Sequence, residues 1–338
     1  MSARPSRGTA VAAVLAVLVL AALWIVRPVF HDVVMLFYAH PGVLEALLAV
    51  VVGGYAAFRI GVPDAGAAET MRAAARDDGG GEFARFLLAN STGRRVAAGV
   101  LVGVLALALA VLVPTLGGAY AQEHVATTLP VEDTDTLPEI DAQRPRILPG
   151  SVARQYAANS LQFPRYRLAA GDIAMRDGSP TWSFGLAPDG GVNNLLLVGQ
   201  GAVFVDMTTQ EKRVSVAESE QSVGFGLGLA GGSDLISEYR WRLQKGEYLV
   251  DYEDPIMIEH EGEVHMAVPY TSYDHHVRLL PVPSVYATPK WGGVALVGPE
   301  GSIEHLSPAE ARQSAVLDEQ RLYPFDLARY QVSSMRYK

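Results

Sequence analysis

Arg94 to Pro114 reads RRVAAGVLVGVLALALAVLVP, and from Val96 to Val113 it carries no charged or polar side chain. A helix of roughly 18 such residues, at about 1.5 Å each, nearly matches a hydrocarbon core of about 30 Å. The stretch therefore reads as a membrane span over 96–113, preceded by paired arginines and ended by Pro114. Gly99 and Gly103 are one turn apart on one face. Small residues at that spacing let two helices approach closely, so they form a packing face for another span, with homodimerisation as the second choice.

Two more spans lie toward the N-terminus. Thr9 to Val26 is apolar, follows Arg4 and Arg7, and ends at Trp24, Arg27 and Pro28. It exceeds a typical signal-peptide core and shows no clean small-x-small site, so an uncleaved span over 9–26 is expected. Val33 to Ile60 is apolar but broken at His40-Pro41-Gly42, because Pro41 lacks an N–H and disfavours helix at His40. The span is expected over 43–58, with Val33–Tyr38 as a helical or interfacial piece before it. Glu45, one turn from the span's end, reads as an interfacial carboxylate.

The arginines orient these spans. Arg4 and Arg7 precede the first, and Arg59, Arg72, Arg76, Arg85, Arg94 and Arg95 lie between the second and third. Only Arg27 lies between the first and second. The positive-inside rule makes the N-terminus and the loop 59–95 cytoplasmic, and residues from about 118 to 338 extracytoplasmic. Within the loop, Ala65–Arg76 and Glu82–Leu88 read as short helices separated by Asp77–Gly81. The second places Phe83, Phe86 and Leu87 on one face, suited to the membrane surface or the other helix.

Composition narrows the function. Residues 1–120 carry nine Arg, no Lys and seven acidic residues, a net +2; residues 121–338 sum to -11. So acidic an external part excludes a nucleic-acid partner, which needs clustered cations. Cysteine is absent, so there are no disulfides, thiolate metal sites or cysteine nucleophiles.

Residues 1–120 thus form an all-α three-helix transmembrane region. Residues 121–147, with Thr-Leu-Pro at 128–130 and 136–138 and acidic residues after each, read as an extended linker. From Leu148 an α+β pattern begins. Ser151–Leu161 is helical, with Ser151 as its cap. Asp172–Arg176 and Pro180–Leu186 form a hairpin around Asp177-Gly178. Leu195–Val198 and Ala202–Asp206 form a second pairing, and Lys212–Val216 follows. The order then returns. Ser233–Leu243 is a helix capped by Ser233, Pro255–His260 and Glu263–Pro269 form a hairpin around Glu261-Gly262, and Trp291–Val297 pairs with Ser302–Leu306. GAVFVDMTTQEKRVSV (201–216) matches GGVALVGPEGSIEHLSP (292–308), and GDIAMRDGSPTWSFGLAP (171–188) matches EDPIMIEHEGEVHMAVPY (253–270). The ectodomain is therefore expected as two tandem helix-plus-antiparallel-sheet units, 148–216 and 233–310. A Gly-rich connection at 217–232 joins them, and a helical segment at 311–338 follows.

Gly178, Pro180, Trp182 and Leu186, followed by Gly201, Ala202, Val203, Val205, Asp206 and Thr209, resemble the pattern of PepSY-like extracytoplasmic modules. The second copy keeps Gly262, Val268, Gly293, Val294, Leu296, Val297, Gly301 and Ile303, and lacks the Trp and the Asp. The resemblance spans 148–310. It implies small α+β modules similar to propeptide and envelope-regulatory domains that bind or restrain proteases, with no catalytic residues.

Three constellations bear on chemistry. Gly226-x-Gly228-x-x-Gly231, with Asp251 20 residues on, has dinucleotide-fingerprint spacing. It lacks the preceding buried strand, because Ala217–Ser222 is acidic and loop-like, so a flexible or packing loop is expected. His260, Glu263 and His265 share one face of a hairpin. Two imidazoles and a carboxylate are zinc-type ligands, set against the ordinary solvated face of a strand. No Gly-x-Ser-x-Gly, Ser-x-x-Lys, His-Glu-x-x-His or P-loop sequence occurs.

The reading is a multi-pass cell-membrane protein with no cofactor and no assigned catalytic residue. Its partners are the lipid bilayer and a protein or peptide of the cell envelope, met by its non-enzymatic external domain. The alternatives are a subunit of a larger membrane assembly and a metal-dependent hydrolase built on His260 and His265.

Overall fold

The computed structural model describes residues 7–61, 91–130, 145–219, 221–229 and 236–338. The helices expected at 65–76 and 82–88, most of the linker, Gly231 and Ser233 lie outside the described residues. The chain divides into two compact units, Met1–Met35 with Pro130–Tyr273 and Pro289–Ser333, and Leu36–Leu129 with Asp274–Thr288 and Ser334–Lys338.

Three helical stretches are long and apolar enough to cross a membrane, Leu15–Ala39, Pro41–Gly61 and Arg94–Thr128. The first combines α1 (Arg7–Val26), a 3-10 turn (Arg27–Phe30) and α2 (His31–Ala39). Pro28 falls at the start of that turn, where a missing N–H costs nothing. Pro41 leaves only His40 between α2 and α3 (Pro41–Gly61). The piece at 33–38 is thus helical.

The third helix, α4, runs Ser91–Thr128, straight through Pro114. This corrects both the stop at 113 and the start of the linker, since residues 121–128 are helical. A proline inside a helix removes one backbone bond, yet the helix continues past it. In the turn around Pro114, the Thr115 hydroxyl donates to Val111 O at 2.7 Å. Pro130 ends the helix instead, because the residue before a proline disfavours helical geometry.

α3 and α4 pack antiparallel on small residues. A Cβ at Gly99 would lie 2.6 Å from Gly61 Cα, one at Gly53 2.2 Å from Ala106 Cβ, and one at Gly42 2.8 Å from Pro114 Cα. Real Cβ atoms do not approach so closely, so the backbones themselves touch.

The other unit holds two five-stranded antiparallel sheets. α5 (Gly150–Ser160) precedes the first, built from β1 (Tyr166–Leu168), β2 (Ile173–Arg176), β3 (Ser179–Pro188), β4 (Ala202–Asp206) and β5 (Val214–Ala217). α5 is preceded by Pro149 with no side-chain cap, so the Ser151 cap is not used. Leu195 and Leu196, expected to open the strand Leu195–Val198, instead end the short helix α6 (Gly191–Leu196). Its carbonyls explain why. Asn194 O and Leu195 O accept from Leu227 and Leu229 N–H, so the connection lies against a helix and not a strand.

α7 (Tyr239–Gly246) precedes the second sheet. Glu238 caps it, accepting from Trp241 N–H at 2.7 Å. The strands are β6 (Asp251–Tyr252), β7 (Ile256–His260), β8 (Glu263–Arg278), β9 (Ser284–Val297) and β10 (Ile303–Leu306). The first sheet orders β1-β3-β4-β5 with β2 also on β3; the second orders β6-β8-β9-β10 with β7 also on β8. The two orders are the same. Both opening hairpins turn through two left-handed residues, Asp177 and Gly178 at φ 51 and 68, and Glu261 and Gly262 at φ 54 and 82. Such turns match strand twist and favour glycine second.

Alternation along β4 sends side chains to different cores. Val203 and Val205 pack with Ala153 and Ala157 of α5. Ala202 and Phe204 join Leu243 of α7 and Met257, Met266 and Val268 of the second sheet. The two sheets thus share one core. A third cluster sets Ile256, Ile258 and Val294 against Ala311 of α8 (Pro308–Ala311), Leu317 and Leu322. The final helix α9 spans Phe325–Ser334, within the helical segment expected at 311–338. The connection 217–232 is neither flexible nor peripheral in its described part, since Val223 is 4% exposed and Phe225 packs on Gly185 and Tyr239.

Candidate functional site

His260, Glu263 and His265 fall as expected on the β7–β8 hairpin, where His260 pairs with Glu263 and His265 with Ile258. The two imidazole centroids are 6.3 Å apart, edge to face. Burial holds the His265 imidazole below its usual pKa, and its Nδ1 is buried without a partner. Yet no group of three His, Asp or Glu among the described residues converges as a metal site would require.

The glycine fingerprint is a packing motif. A Cβ at Gly226 would lie 1.8 Å from Leu197 O, and Gly228 at φ 59 lies against Val198 and Ser237. The intervening Leu227 and Leu229 N–H groups bond α6 carbonyls, and those donors do not point at a phosphate. Asp251 pairs with Thr271 at the sheet edge. Gly99 meets Gly61, and a Cβ added at Gly103 would lie 3.6 Å from Ala57 Cβ. That face is thus used inside the chain.

A cluster that the sequence reading did not single out forms where the β8–β9 hairpin meets α3 and α4. Val285 N–H donates to a Glu45 carboxylate oxygen at 3.0 Å, while the other oxygen is buried without a partner. His275 Nε2 donates to Tyr38 O at 2.8 Å. Ser284 lies against Gly117, where an added Cβ would come within 2.9 Å of its hydroxyl. The His124 and His276 rings are 4.2 Å apart, and Tyr286 stacks on His276 at 5.3 Å. Arg278 pairs with Glu123 at 2.6 Å and lies over the Tyr120 ring at 4.2 Å. The His276 imidazole is held below its usual pKa, first by burial and then by the neighbouring His124.

The signal for this cluster was present at 270–290. YTSYDHHVR and SVYATPK are both rich in β-formers and flank Leu279–Pro283, yet the strand was expected to stop at Pro269. Glu45 was noticed, but its partner lies 240 residues away.

A second tie occurs in the other unit. Arg27 Nη2 donates to Gln244 O at 2.7 Å and Lys245 O at 3.0 Å, the last carbonyls of α7. Its guanidinium lies between the Trp24 and Tyr248 rings, at 4.3 and 4.5 Å. A cation at a helix C-terminus meets the negative end of the helix dipole. His31 adds a bond from Nε2 to Val250 O at 3.1 Å.

The sheet edges differ. At β2, the Gln320 amide accepts from Met175 N–H at 2.9 Å and donates to Met175 O at 2.8 Å, as a neighbouring strand would. β5 ends its sheet with β4 as its strand neighbour, and Val216 on it is 38% exposed. No protein-family model, no curated protein and no solved structure matches the chain.

Proposed function

We propose that the chain is a multi-pass membrane protein of the cell envelope. Its extracytoplasmic domain, two tandem PepSY-like units, binds a protein or peptide without catalysing a reaction. The N-terminus and the loop 59–95 are cytoplasmic, and residues from about 118 onward are external. Support for this orientation comes from the arginines. Arg4 and Arg7 precede the first span and six arginines lie over 59–95, against only Arg27 between the first and second spans. The identical strand order of the two sheets supports an internal duplication.

The observation that carries the binding reading is the β5 edge, Val214–Ala217. An edge strand presents unpaired backbone groups to which an extended peptide can add as a further strand. Hydrogen exchange on the full chain in nanodiscs, with peptides selected for binding to it, tests this. The expected result is at least tenfold slower exchange of the 214–217 amides in the complex. Binding without protection there overturns the edge, and turnover of substrates by the chain overturns the non-enzymatic reading. An assembly would use the Gly99 and Gly103 face and the loop 59–95; in the described residues that face lies against α3, and most of the loop is outside them.

A further inference from the structure

We propose that the tip of the β8–β9 hairpin, residues 279–283, inserts into the outer leaflet of the bilayer that α3 and α4 cross. The external domain then grips the membrane through a non-helical anchor. The proposal rests on the reading of α3 and α4 as spans.

The tip has the right chemistry. Leu279-Leu280-Pro281-Val282-Pro283 is wholly apolar, and no charge occurs between Arg278 and Lys290. Leu279 is 69% exposed, Leu280 78% and the adjacent Val277 69%. Backbone polar groups normally bar a loop from hydrocarbon. Here Pro281 and Pro283 carry no N–H, and Arg278 Nε donates to Leu280 O at 3.2 Å.

The register gives the direction. His276 lies at His124, Tyr286 at Tyr120 and His124, and Ser284 at Gly117. Moving toward the tip therefore moves down α4 toward Pro114 and the apolar run 96–113. From the end of α2 into α3 the contacts shift from Tyr38 at His275 to Glu45 at Val285, again toward the span. Helical rise puts Pro114 only about 4.5 Å along α4 from Gly117, the residue against which Ser284 lies at the base of the tip.

The surroundings fit lipid as the occupant. Tyr120, Tyr286, His124 and the Arg278–Glu123 pair form a belt of aromatic and charged groups above the tip, the composition of a membrane–water boundary. Below that belt the helices are apolar and exposed, as at Leu44, Leu48 and Leu112. The tip continues that surface.

The chain has no cysteine, so Leu280→Cys gives a unique site for a nitroxide label in the full-length protein in vesicles. Val104→Cys on α4 serves as the lipid reference, and Val192→Cys, 69% exposed on α6, as the water reference. At 280 the expected collision rate with oxygen exceeds that with a neutral nickel chelate, with a ratio closer to that at 104 than at 192. A water-like ratio at 280 overturns the proposal. So does shielding from both reagents, which would mark a protein cover such as a second copy. A water-like ratio at 104 instead overturns the spanning reading on which the proposal rests.

Discussion

Glu45 lies on α3, a helix long and apolar enough to cross a membrane, and its role is set by a partner far along the chain. Its carboxylate accepts from Val285 N–H. Removing the acceptor leaves a buried donor unpaired, which costs about 1–3 kcal/mol. Glu45→Ala is therefore expected to speed amide exchange at Val285 by at least tenfold, while Glu45→Gln, which keeps an acceptor oxygen, leaves it nearly unchanged. Equal rates in both variants would show that the bond has no weight. Ser183 makes a similar point in the other unit. It is fully buried, donates to Asp172 O and accepts from Met257 N–H, joining the two sheets. Gly99 has no side chain to give way. Gly99→Leu is expected to destabilise the α3–α4 pair by about 1–3 kcal/mol, the usual cost of overpacking, seen as a lower Tm in nanodiscs. Gly118→Leu, with open space around that glycine, serves as the control with little change.

At the scale of elements, the apolar runs and the two-residue turns were legible because each carries a local physical signature. Asp177-Gly178 and Glu261-Gly262 sit where the register places hairpin turns. The errors came where distant partners decide. Leu195 to Val198 has strand-like residues, but carbonyls needed by Leu227 and Leu229 favour α6 over its first two. Pro114 looks like a helix end, yet α4 passes through it. The edge function of Gln320 has no sequence signature, because only its two bonds to Met175 make it act as a strand. Gln320→Ala is expected to cost about 1–2 kcal/mol through two lost hydrogen bonds and to raise exchange at Met175 selectively. Unchanged protection there would mean the amide is incidental. The candidate site was half legible. Glu45 stood out as a charge in an apolar run, but His124, His276 and Tyr286 are joined only by the hairpin's register on α4.

For the molecule as a whole, protons and topology supply the tests. Burial is the first cause holding His265, His276 and His305 below the usual histidine range. Their folded pKa values lie below the unfolded one, so below about pH 6.5 the unfolded chain binds more protons. Their contribution is therefore full above that pH and is lost as pH falls toward the folded values. Asp251 and Glu238, raised by burial, act in the opposite sense, around and above their ordinary range. The expected melting profile is flat near pH 7–8 and declines from about 6.5; His276→Gln flattens part of that decline. A profile with no decline between pH 7 and 5.5 would contradict this. The orientation has its own measurement. Ala75→Cys is expected to resist a membrane-impermeant maleimide added outside, and Val192→Cys to react; the reverse pattern inverts the protein.

The bond between Glu45 and Val285 also has a consequence for how the protein is made. The ribosome makes α3 and α4 long before residues 274–288 exist. For that interval Glu45 has no backbone donor from the hairpin. Synthesis of residues 274–288 supplies the missing N–H, so the seating of the hairpin on the two helices is completed late, and a chain truncated at 270 would leave the Glu45 carboxylate without Val285.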